Sequence, residues 1–223
     1  MRITIQLDST SSCEVNHSII MNYFFLDIAS HDGLLACISS DGVISSHKVS
    51  TRIRDHELIP LAEECLKSAK WEYQDLDRIA CVIGPGGFTS LRVAVSFSNT
   101  LMDQLDIEGA GVGLWDLYRV RGSGIGFGDT LWLHSTKKDS LFVQGGEWKK
   151  PTLIKIEDLS ENRTRKPNPL LWMGELIDSH KEKLESSDNK EAELRPTLEI
   201  LPEFIESLSY SKKPLEPWYG RKW

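Results

Sequence analysis

The sequence predicts an α/β protein whose N-terminal lobe has the element order βββαβα and is followed by a shorter, divergent second lobe. Three observations support this. Two β-prone runs flank an Asp41-Gly42 pair, the apolar spacing changes from a period of two to one of 3.6 after Leu58, and a second strand-to-helix transition crosses a glycine-rich loop. With 223 residues, 40% of them apolar, the chain can bury a sizeable core.

The first three strands are predicted to form a meander. The apolar run 22–29 ends in a turn, and the β-prone runs 34–40 and 43–50 follow it. Asp-Gly between two such runs is a strong hairpin signal. The preceding residues 1–20 lack the continuous apolar stretch of a secretion signal, and we expect them to be a disordered extension.

A first helix is expected behind the meander. Its apolar residues recur with helical spacing on one stripe, namely Leu58, Leu61, Ala62, Cys65, Leu66 and Ala69. Asp55 is expected to cap this helix, because a carboxylate accepts hydrogen bonds from the first backbone N–H groups. Pro60 lies near the first turn, where a missing N–H costs least.

The second helix follows a buried strand at 78–84 and a glycine loop. It is expected to begin at Thr89, with Thr89 or Ser90 available as the capping residue. Its main stripe comprises Leu91, Ala94, Val95, Ser98, Leu101, Met102 and Leu105. A short strand at 110–113 and a helix from Leu114 complete this lobe.

The second half is less regular. Strands are predicted at 131–135, 140–146, 151–156 and 170–174, and a helix is expected after the last of them. The stretch 181–195 is expected to be a solvated insertion or the end of a helix, and a short helix is predicted at 202–208. Alternating glycines at Gly122, Gly124, Gly126 and Gly128 are interpreted as a hinge, because no strand precedes them. The predicted organisation is an extension (1–20), an N-terminal lobe (21–120), a second lobe (121–213) and a tail (214–223) that packs back.

Composition and charge exclude several classes of protein. The net charge is −7, so strong binding of RNA through a basic face is not expected. No run reaches the roughly 18 apolar residues of a membrane span. The four cysteines form no C-x-x-C pair, which argues against a zinc knuckle or a disulfide scaffold. We therefore expect a cytoplasmic protein.

The segment with the strongest chemical signal runs from Gly84 to Arg92, GPGGFTSLR. A glycine loop between a strand and a helix directs backbone N–H groups and the helix dipole at one spot, which suits phosphates or carboxylates. It is not a P-loop, because the lysine of that motif is absent. A tight connection without a ligand explains the same residues equally well.

This segment also resembles the glycine motif GPGSFTGLRIG of the TsaB (YeaZ) family. Further motifs agree in order: LDIAS at 26–30, RDHELIPLAEECL at 54–66, GVGLWDL at 111–117 and PWYGR at 217–221. The resemblance is good over 21–120, thin over 121–215 and returns at the tail. It implies a two-lobed fold of the actin/Hsp70/sugar-kinase (ASKHA) type and a role in forming threonylcarbamoyladenosine on tRNA.

The resemblance further implies a subunit that works with other proteins. Members of the family pair with a larger catalytic paralogue, TsaD, and a small ATPase, TsaE, joins them. By this resemblance the expected partners are a TsaD-like paralogue and a TsaE-like ATPase, with tRNA contacted only indirectly and a second copy as an alternative partner. No cofactor and no membrane contact are expected.

One residue pair tests whether this chain could itself be the catalyst. The catalytic paralogue uses a His-x-x-x-His pair, since side chains four residues apart share one helix face. Here His56 is followed four residues later by Pro60. The sequence therefore predicts no catalytic residue and no metal ligand of this kind.

If the glycine loop does hold a nucleotide or an anion, the candidate residues are Gly84, Pro85, Gly86, Gly87, Thr89, Ser90, Arg92 and Asp27. Active members of the fold carry an acid for magnesium in the first hairpin, a position that Asp27 matches. Ala29, however, stands where the family usually has threonine. The alternative for Asp27 is an acid at a strand end that is satisfied by backbone or water.

The two helices of the first lobe also carry apolar residues away from their core stripes, namely Ile59, Val93 and Phe97. A helix with two apolar faces is either covered on both or docks against another chain. We therefore expect these three residues to contact the TsaD-like partner or a second copy. Internal cover is the alternative.

Other features indicate less. His134 and Ser135 are adjacent, which is not the geometry of a catalytic triad, and both are expected at the surface. Lys137, Lys138, Lys149 and Lys150 are expected to be solvated. Two other functions stay open: a free-standing ATP-hydrolysing or phosphotransferring enzyme of the same fold, and a homodimeric scaffold with no role on tRNA.

Overall fold

The computed structural model describes residues 20–49, 55–123, 130–161, 171–185 and 189–220. Its strands are β1 (Tyr23–Asp27), β2 (Gly33–Ser39), β3 (Gly42–Val49), β4 (Arg78–Gly84), β5 (Glu108–Gly113), β6 (Thr130–Lys137), β7 (Ser140–Gly145), β8 (Trp148–Lys155), β9 (Leu171–Glu175) and β10 (Lys190–Glu191). Its helices are α1 (Leu58–Ala69), α2 (Phe88–Leu105), α3 (Leu114–Arg121), α4 (Ile156–Glu161), α5 (Asp178–Glu185) and α6 (Thr197–Glu206). The predicted extension falls largely on residues 1–19, and most of the glycine hinge on 124–129, outside the described residues.

Two five-stranded sheets repeat one plan. The first has the order β3-β2-β1-β4-β5 and the second the order β10-β9-β6-β7-β8. In each, a three-stranded antiparallel meander is extended by two parallel strands beside its first strand. The two halves therefore share one strand plan, although the sequence of the second half is divergent.

The elements stack in five layers around three apolar clusters. Helices α1 and α2 cover one face of the first sheet, with a core that includes Phe24, Leu66 and Ala94. The opposite face packs with α3 and α6 against the second sheet, in a shared core that includes Trp132 and Phe142. A smaller cluster lies beneath α4 and α5 on the far side of the second sheet. The shared middle core therefore joins the two sheets.

Two predictions about helix caps are wrong. Asp55 lies in a short 3₁₀ turn, Asp55–Glu57, and the N-cap of α1 is Glu57, which makes no side-chain capping bond. Neither Thr89 nor Ser90 caps α2, because the helix begins at Phe88 with Gly87 as its N-cap. Neither helix start therefore has a side-chain cap.

The second half departs from the prediction in its helices. The helix expected after the strand 170–174 is α5, and its end at Glu185 lies in the stretch 181–195, in agreement with the helix-end alternative. Helix α6, by contrast, begins at Thr197, five residues before the expected helix, with Pro202 inside it. Although α6 belongs to the segment 121–213, it packs against β2 and β3 of the first sheet. Within the described residues, no helix combines the length and apolar character needed to cross a membrane.

Candidate functional site

The glycine loop is held by two close backbone approaches. Gly84 has φ of +145°, and a Cβ on it would lie 2.2 Å from the carbonyl oxygen of Trp218, whose N–H donates to Ile83 O at 2.7 Å. A Cβ on Gly86 would lie 2.5 Å from the carbonyl oxygen of Ala29. Glycine is therefore required at both positions by packing alone, because a side chain would collide with backbone.

A cavity of about 550 Å³ lies between the lobes beside this loop. Its walls are the turn after β1, the loop and first turn of α2, and the end of β6. The lining residues are Ile28, Ala29, Ser30, His31, Val49, Gly86, Gly87, Phe88, Thr89, Ser90, His134, Ser135 and Thr136. The structure thus brings four of the predicted loop residues, Gly86, Gly87, Thr89 and Ser90, to one cleft.

The remaining predicted loop residues do not line this cleft. Gly84 lies against Trp218 of the tail, and Pro85 is buried outside the cleft lining. Arg92 lies one turn further along α2, with its guanidinium 5.4 Å from the ring centroid of Phe88, and it lines a separate groove of about 500 Å³ beside Leu215 and Tyr219. The prediction that Arg92 joins the anion loop therefore has no support in the geometry.

Asp27 is committed to its own turn. One carboxylate oxygen accepts the N–H groups of Ala29 and Ser30, both at 3.1 Å, and the other accepts the Ser30 hydroxyl at 2.5 Å. The side chain is buried, and this burial, opposed by the Ser30 hydrogen bond, raises the pKa of Asp27 to about 6. These contacts favour the reading of Asp27 as a strand-end acid satisfied by the backbone over that of a magnesium ligand.

A buried acid, Glu175 at the end of β9, lies against the cleft residues His31 and His134. One of its oxygens accepts the His31 N–H at 2.9 Å, and the other accepts the Tyr118 hydroxyl at 3.2 Å. Burial by itself raises the pKa of Glu175, but His134 and the His31 N–H outweigh it and bring the pKa below its usual value. Glu175 thus fastens the second sheet to two elements of the first lobe.

His134 and Ser135 are buried, so the expectation that they lie at the surface is wrong. The Nδ1 atom of His134 lies 3.4 Å from a Glu175 oxygen, an ion-pair distance without the geometry of a hydrogen bond. Its ring stacks on Trp132 at a centroid distance of 5.9 Å and an interplanar angle of 12°. Side chains alternate along a strand, so Trp132 and His134 lie on the same face of β6. This two-residue spacing is the feature of the sequence from which the burial of His134 could have been predicted.

Ser135 makes a hydrogen-bonded pair with His180. The His180 Nε2–H donates to the carbonyl of Lys138 at 3.0 Å, so Nδ1 is the unprotonated nitrogen and accepts from the Ser135 hydroxyl at 2.8 Å. The same hydroxyl oxygen accepts the Ile177 N–H at 3.0 Å. The Ser135 hydroxyl thus both donates and accepts a hydrogen bond, and His180 is fully buried. The pair connects β6 to the start of α5.

The cleft offers polar but weakly charged binding groups. Among its lining residues that the structure describes, no lysine or arginine occurs. The Gly87 N–H points to Ala29 O, at 3.4 Å, which leaves fewer free loop amides for an anion. A triphosphate would therefore rely on imidazoles, hydroxyls and the α2 N-terminus, beside the buried carboxylate of Glu175.

The outer face of the first lobe carries the three predicted docking residues. Ile59 on α1 is 52% exposed, one of few large apolar side chains with such exposure. Val93 and Phe97, one turn apart on α2, are half-buried against the outer core. The structure thus leaves apolar surface on both helices, although it holds no partner chain.

His56 was expected on the first helix. It is exposed and lies instead in the 3₁₀ turn that precedes α1. Across the part of the chain that the structure describes, no group of three or more His, Cys, Asp or Glu residues is arranged to hold a metal ion.

The comparisons with known proteins agree with this architecture. A family model described as TsaD, tRNA N6-adenosine threonylcarbamoyltransferase, matches residues 46–116. This segment contains α1, the glycine loop, α2 and β5, but neither the first hairpin as a whole nor the second sheet. Among curated proteins, none matches the chain.

Two solved structures extend the match across both lobes. A Pseudomonas aeruginosa protein described as similar to peptidase YeaZ superimposes with a TM-score of 0.67 at 17% identity, over 90% of this chain and 100% of its own. The chain has the fold of the YeaZ proteins. YeaZ from Pseudomonas aeruginosa itself gives a TM-score of 0.54 at 19% identity, over 69% of this chain and 75% of its own.

These findings confirm the predicted two-lobed ASKHA-type α/β fold and support the resemblance to the TsaB (YeaZ) family. The contact of Glu175 with Tyr118 was missed, because these residues meet only when the second sheet packs against α3. The contacts of His134 with Glu175 and of Ser135 with His180 lie within the second half and were missed because each joins segments that are distant in the sequence.

Proposed function

We propose that this chain is a non-catalytic partner subunit that binds and supports a TsaD-like transferase in forming threonylcarbamoyladenosine on tRNA. The TsaD-type family match supports a role in tRNA modification. The observation that carries the finer proposal is the cleft, because its described lining residues include no lysine or arginine to stabilise a transferring phosphoryl group. In this proposal the protein is cytoplasmic and joins an assembly with a TsaE-like ATPase, while tRNA meets the chain only indirectly.

The cleft supports a non-catalytic role. A phosphoryl-transfer site depends on fixed positive charge or a metal ion to stabilise the transferring group. The described lining residues of the cleft carry neither lysine nor arginine, and Asp27 is already occupied by three hydrogen bonds within its turn. Both features favour a non-catalytic partner subunit over a free-standing ATP-hydrolysing enzyme.

Docking through α1 and α2 is the second step of the proposal. Exposed Ile59 and half-buried Val93 and Phe97 offer the apolar surface that a helical interface needs at its centre. The same face serves either a TsaD-like paralogue or a second copy. The proposal commits to the paralogue, and a homodimer is an outcome that the test detects.

The test compares two exposed isoleucines. Ile59→Asp is expected to abolish co-purification with the TsaD-like paralogue, because it buries an unpaired charge in the interface. Ile44→Asp is the matched control, since Ile44 is 44% exposed but belongs to β3 and not to either helix, and it should co-purify normally. Unchanged complex formation by Ile59→Asp would reject docking through this face, and loss of a homodimer instead would identify a second copy as the partner.

Phe97→Asp sharpens the same test. This side chain is partly packed on the core, so circular dichroism must first show that the variant is folded. A folded variant that no longer binds the paralogue supports the proposal. Robust ATP turnover by the wild-type chain alone would favour the free-standing enzyme.

A further inference from the structure

A second, aromatic cavity lies at the start of β6, whereas the cleft described above lies at the end of that strand. It has a volume of about 280 Å³ and is formed by α3, the face of the second sheet and the β7–β8 hairpin. Its lining residues are Trp115, Arg119, Thr130, Trp132, Gln144, Gly145, Gly146, Trp148, Lys149 and Met173. Three of these are tryptophans, and the rings of Trp115 and Trp132 meet edge to face at 6.2 Å.

Two of the lining residues each carry a buried polar atom that has no hydrogen-bond partner among the described residues. They are the indole Nε1 of Trp132 and the side-chain oxygen of Gln144. The two residues are directly paired across β6 and β7, so their side chains share one face of the sheet. Trp132 is only 2% exposed, and leaving its N–H unpaired is costly unless a ligand completes the bond.

The rim of the cavity carries both signs of charge. Arg119 lies 3.3 Å from Asp116, and the Lys149 ammonium donates to the Gly146 carbonyl at 3.0 Å. Glu147 is exposed in the same hairpin. Because an exposed ion pair is weak, Arg119 can exchange Asp116 for a ligand anion. Arg119 and Lys149 together favour a ligand with a negative group outside the aromatic walls.

We propose that this cavity binds a nucleobase, carried by a phosphate-bearing nucleotide or by a single-stranded RNA. A base offers a flat face for the tryptophans and an edge that accepts from the Trp132 N–H and donates to the Gln144 oxygen. The volume suits one heterocycle rather than a larger ligand. The phosphate faces Arg119 and Lys149. This inference does not depend on the proposed function.

The experiment follows the tryptophan indole N–H signals by NMR during titration of the full chain. The probes are adenosine and uridine 5′-monophosphates, ribose 5-phosphate, and a short single-stranded oligoribonucleotide. The mononucleotides are expected to shift the Trp132 indole signal downfield, because that N–H gains an acceptor. Ribose 5-phosphate, which lacks a base, is expected to leave it unchanged.

Paired variants localise the binding. Trp148→Ala is expected to weaken binding at least about fivefold, the lower end of what stacking on one aromatic ring contributes. Gln144→Leu is expected to weaken binding about fivefold, because it removes one hydrogen-bond acceptor. Trp71→Ala and Gln104→Leu, on the first lobe, are the matched controls and should bind normally. Circular dichroism shows that each variant is folded, and the unassigned indole signals are identified by single Trp→Phe substitutions.

Each outcome decides the proposal. No shift of the Trp132 signal by either mononucleotide or the oligoribonucleotide at about 10 mM overturns it, as does equal binding of ribose 5-phosphate. Binding of the oligoribonucleotide alone supports an RNA base as the source, and comparable binding of the mononucleotides supports a free nucleotide. Normal co-purification with the paralogue by Trp148→Ala would separate this site from the docking face.

Discussion

The two lobes share one strand order but differ in how their outer faces are covered. The outer face of the first sheet carries α1 and α2, of 12 and 18 residues, over a broad apolar cluster. The outer face of the second sheet carries α4 and α5, of 6 and 8 residues, over a smaller one. The second lobe therefore depends more on the shared middle core, while the first has apolar helix surface to offer a partner.

The largest effect is expected from the residue that joins the lobes. Trp132→Ala should lower the free energy of unfolding by about 4 kcal/mol, because it removes a large buried ring from the shared core. Trp71→Ala, at the edge of the first lobe, should cost about 1 kcal/mol. Urea denaturation measures both. Equal costs would mean that the second sheet does not depend on the shared core.

The pH dependence of stability tests the buried Asp27. Because its folded pKa is about 6, the folded state holds a proton that the unfolded state has already lost between pH 4 and 6. Stability contributed by this group therefore falls as pH rises through that window, by up to about 3 kcal/mol. Asp27→Asn should remove this component.

Denaturation of the wild type and Asp27→Asn between pH 4 and 7 gives the difference directly. Subtraction cancels the opposite contribution of Glu175, whose lowered pKa stabilises the folded state above the usual carboxyl range and is lost as pH falls. Parallel stability curves for the two proteins would show that Asp27 is not buried as described.

The next largest loss of stability is expected from replacing Glu175, which joins the two lobes through hydrogen bonds. Glu175→Ala should cost about 2 kcal/mol, since it leaves the His31 N–H and the Tyr118 hydroxyl without their acceptor. Glu175→Gln keeps one carbonyl acceptor and should cost less. Thermal unfolding compares the two, and a Gln variant as unstable as the Ala variant would indicate that the carboxylate charge, rather than hydrogen bonding, holds the lobes.

The smallest effect on stability is expected on the outer helices. Ile59→Asp and Ile44→Asp should each change the free energy of unfolding by about 0.5 kcal/mol or less, because both side chains are exposed. Urea denaturation measures this change. A large loss in Ile59→Asp alone would mean that its side chain supports the fold and is not free for a partner.

Local sequence patterns predicted much of the first lobe. The strand at 78–84 agrees with β4 in its bounds, and the hairpin between β2 and β3 closes near Asp41-Gly42, with Gly42 opening β3. In both cases the signal lies within a few neighbouring residues, where side-chain alternation and turn chemistry act.

The candidate site was only partly predictable, because its polar groups come from distant segments. The loop residues Gly86 and Gly87 were recognisable from a local motif. The partners of Glu175, by contrast, are His31 and Tyr118, 144 and 57 residues away along the chain. Nothing near Glu175 in the sequence indicates that it becomes a buried acceptor, since only the packing of the two sheets brings these groups together.

The most direct test of the central claim is reconstitution with purified proteins. The TsaD-like paralogue, the TsaE-like ATPase, threonylcarbamoyl-adenylate and tRNA are combined with and without this chain, and nucleoside mass spectrometry measures threonylcarbamoyladenosine. The account predicts the modified nucleoside only when the paralogue and this chain are both present, and none from this chain without the paralogue. Formation of the product by this chain without the paralogue, or equal formation when this chain is left out, would contradict it.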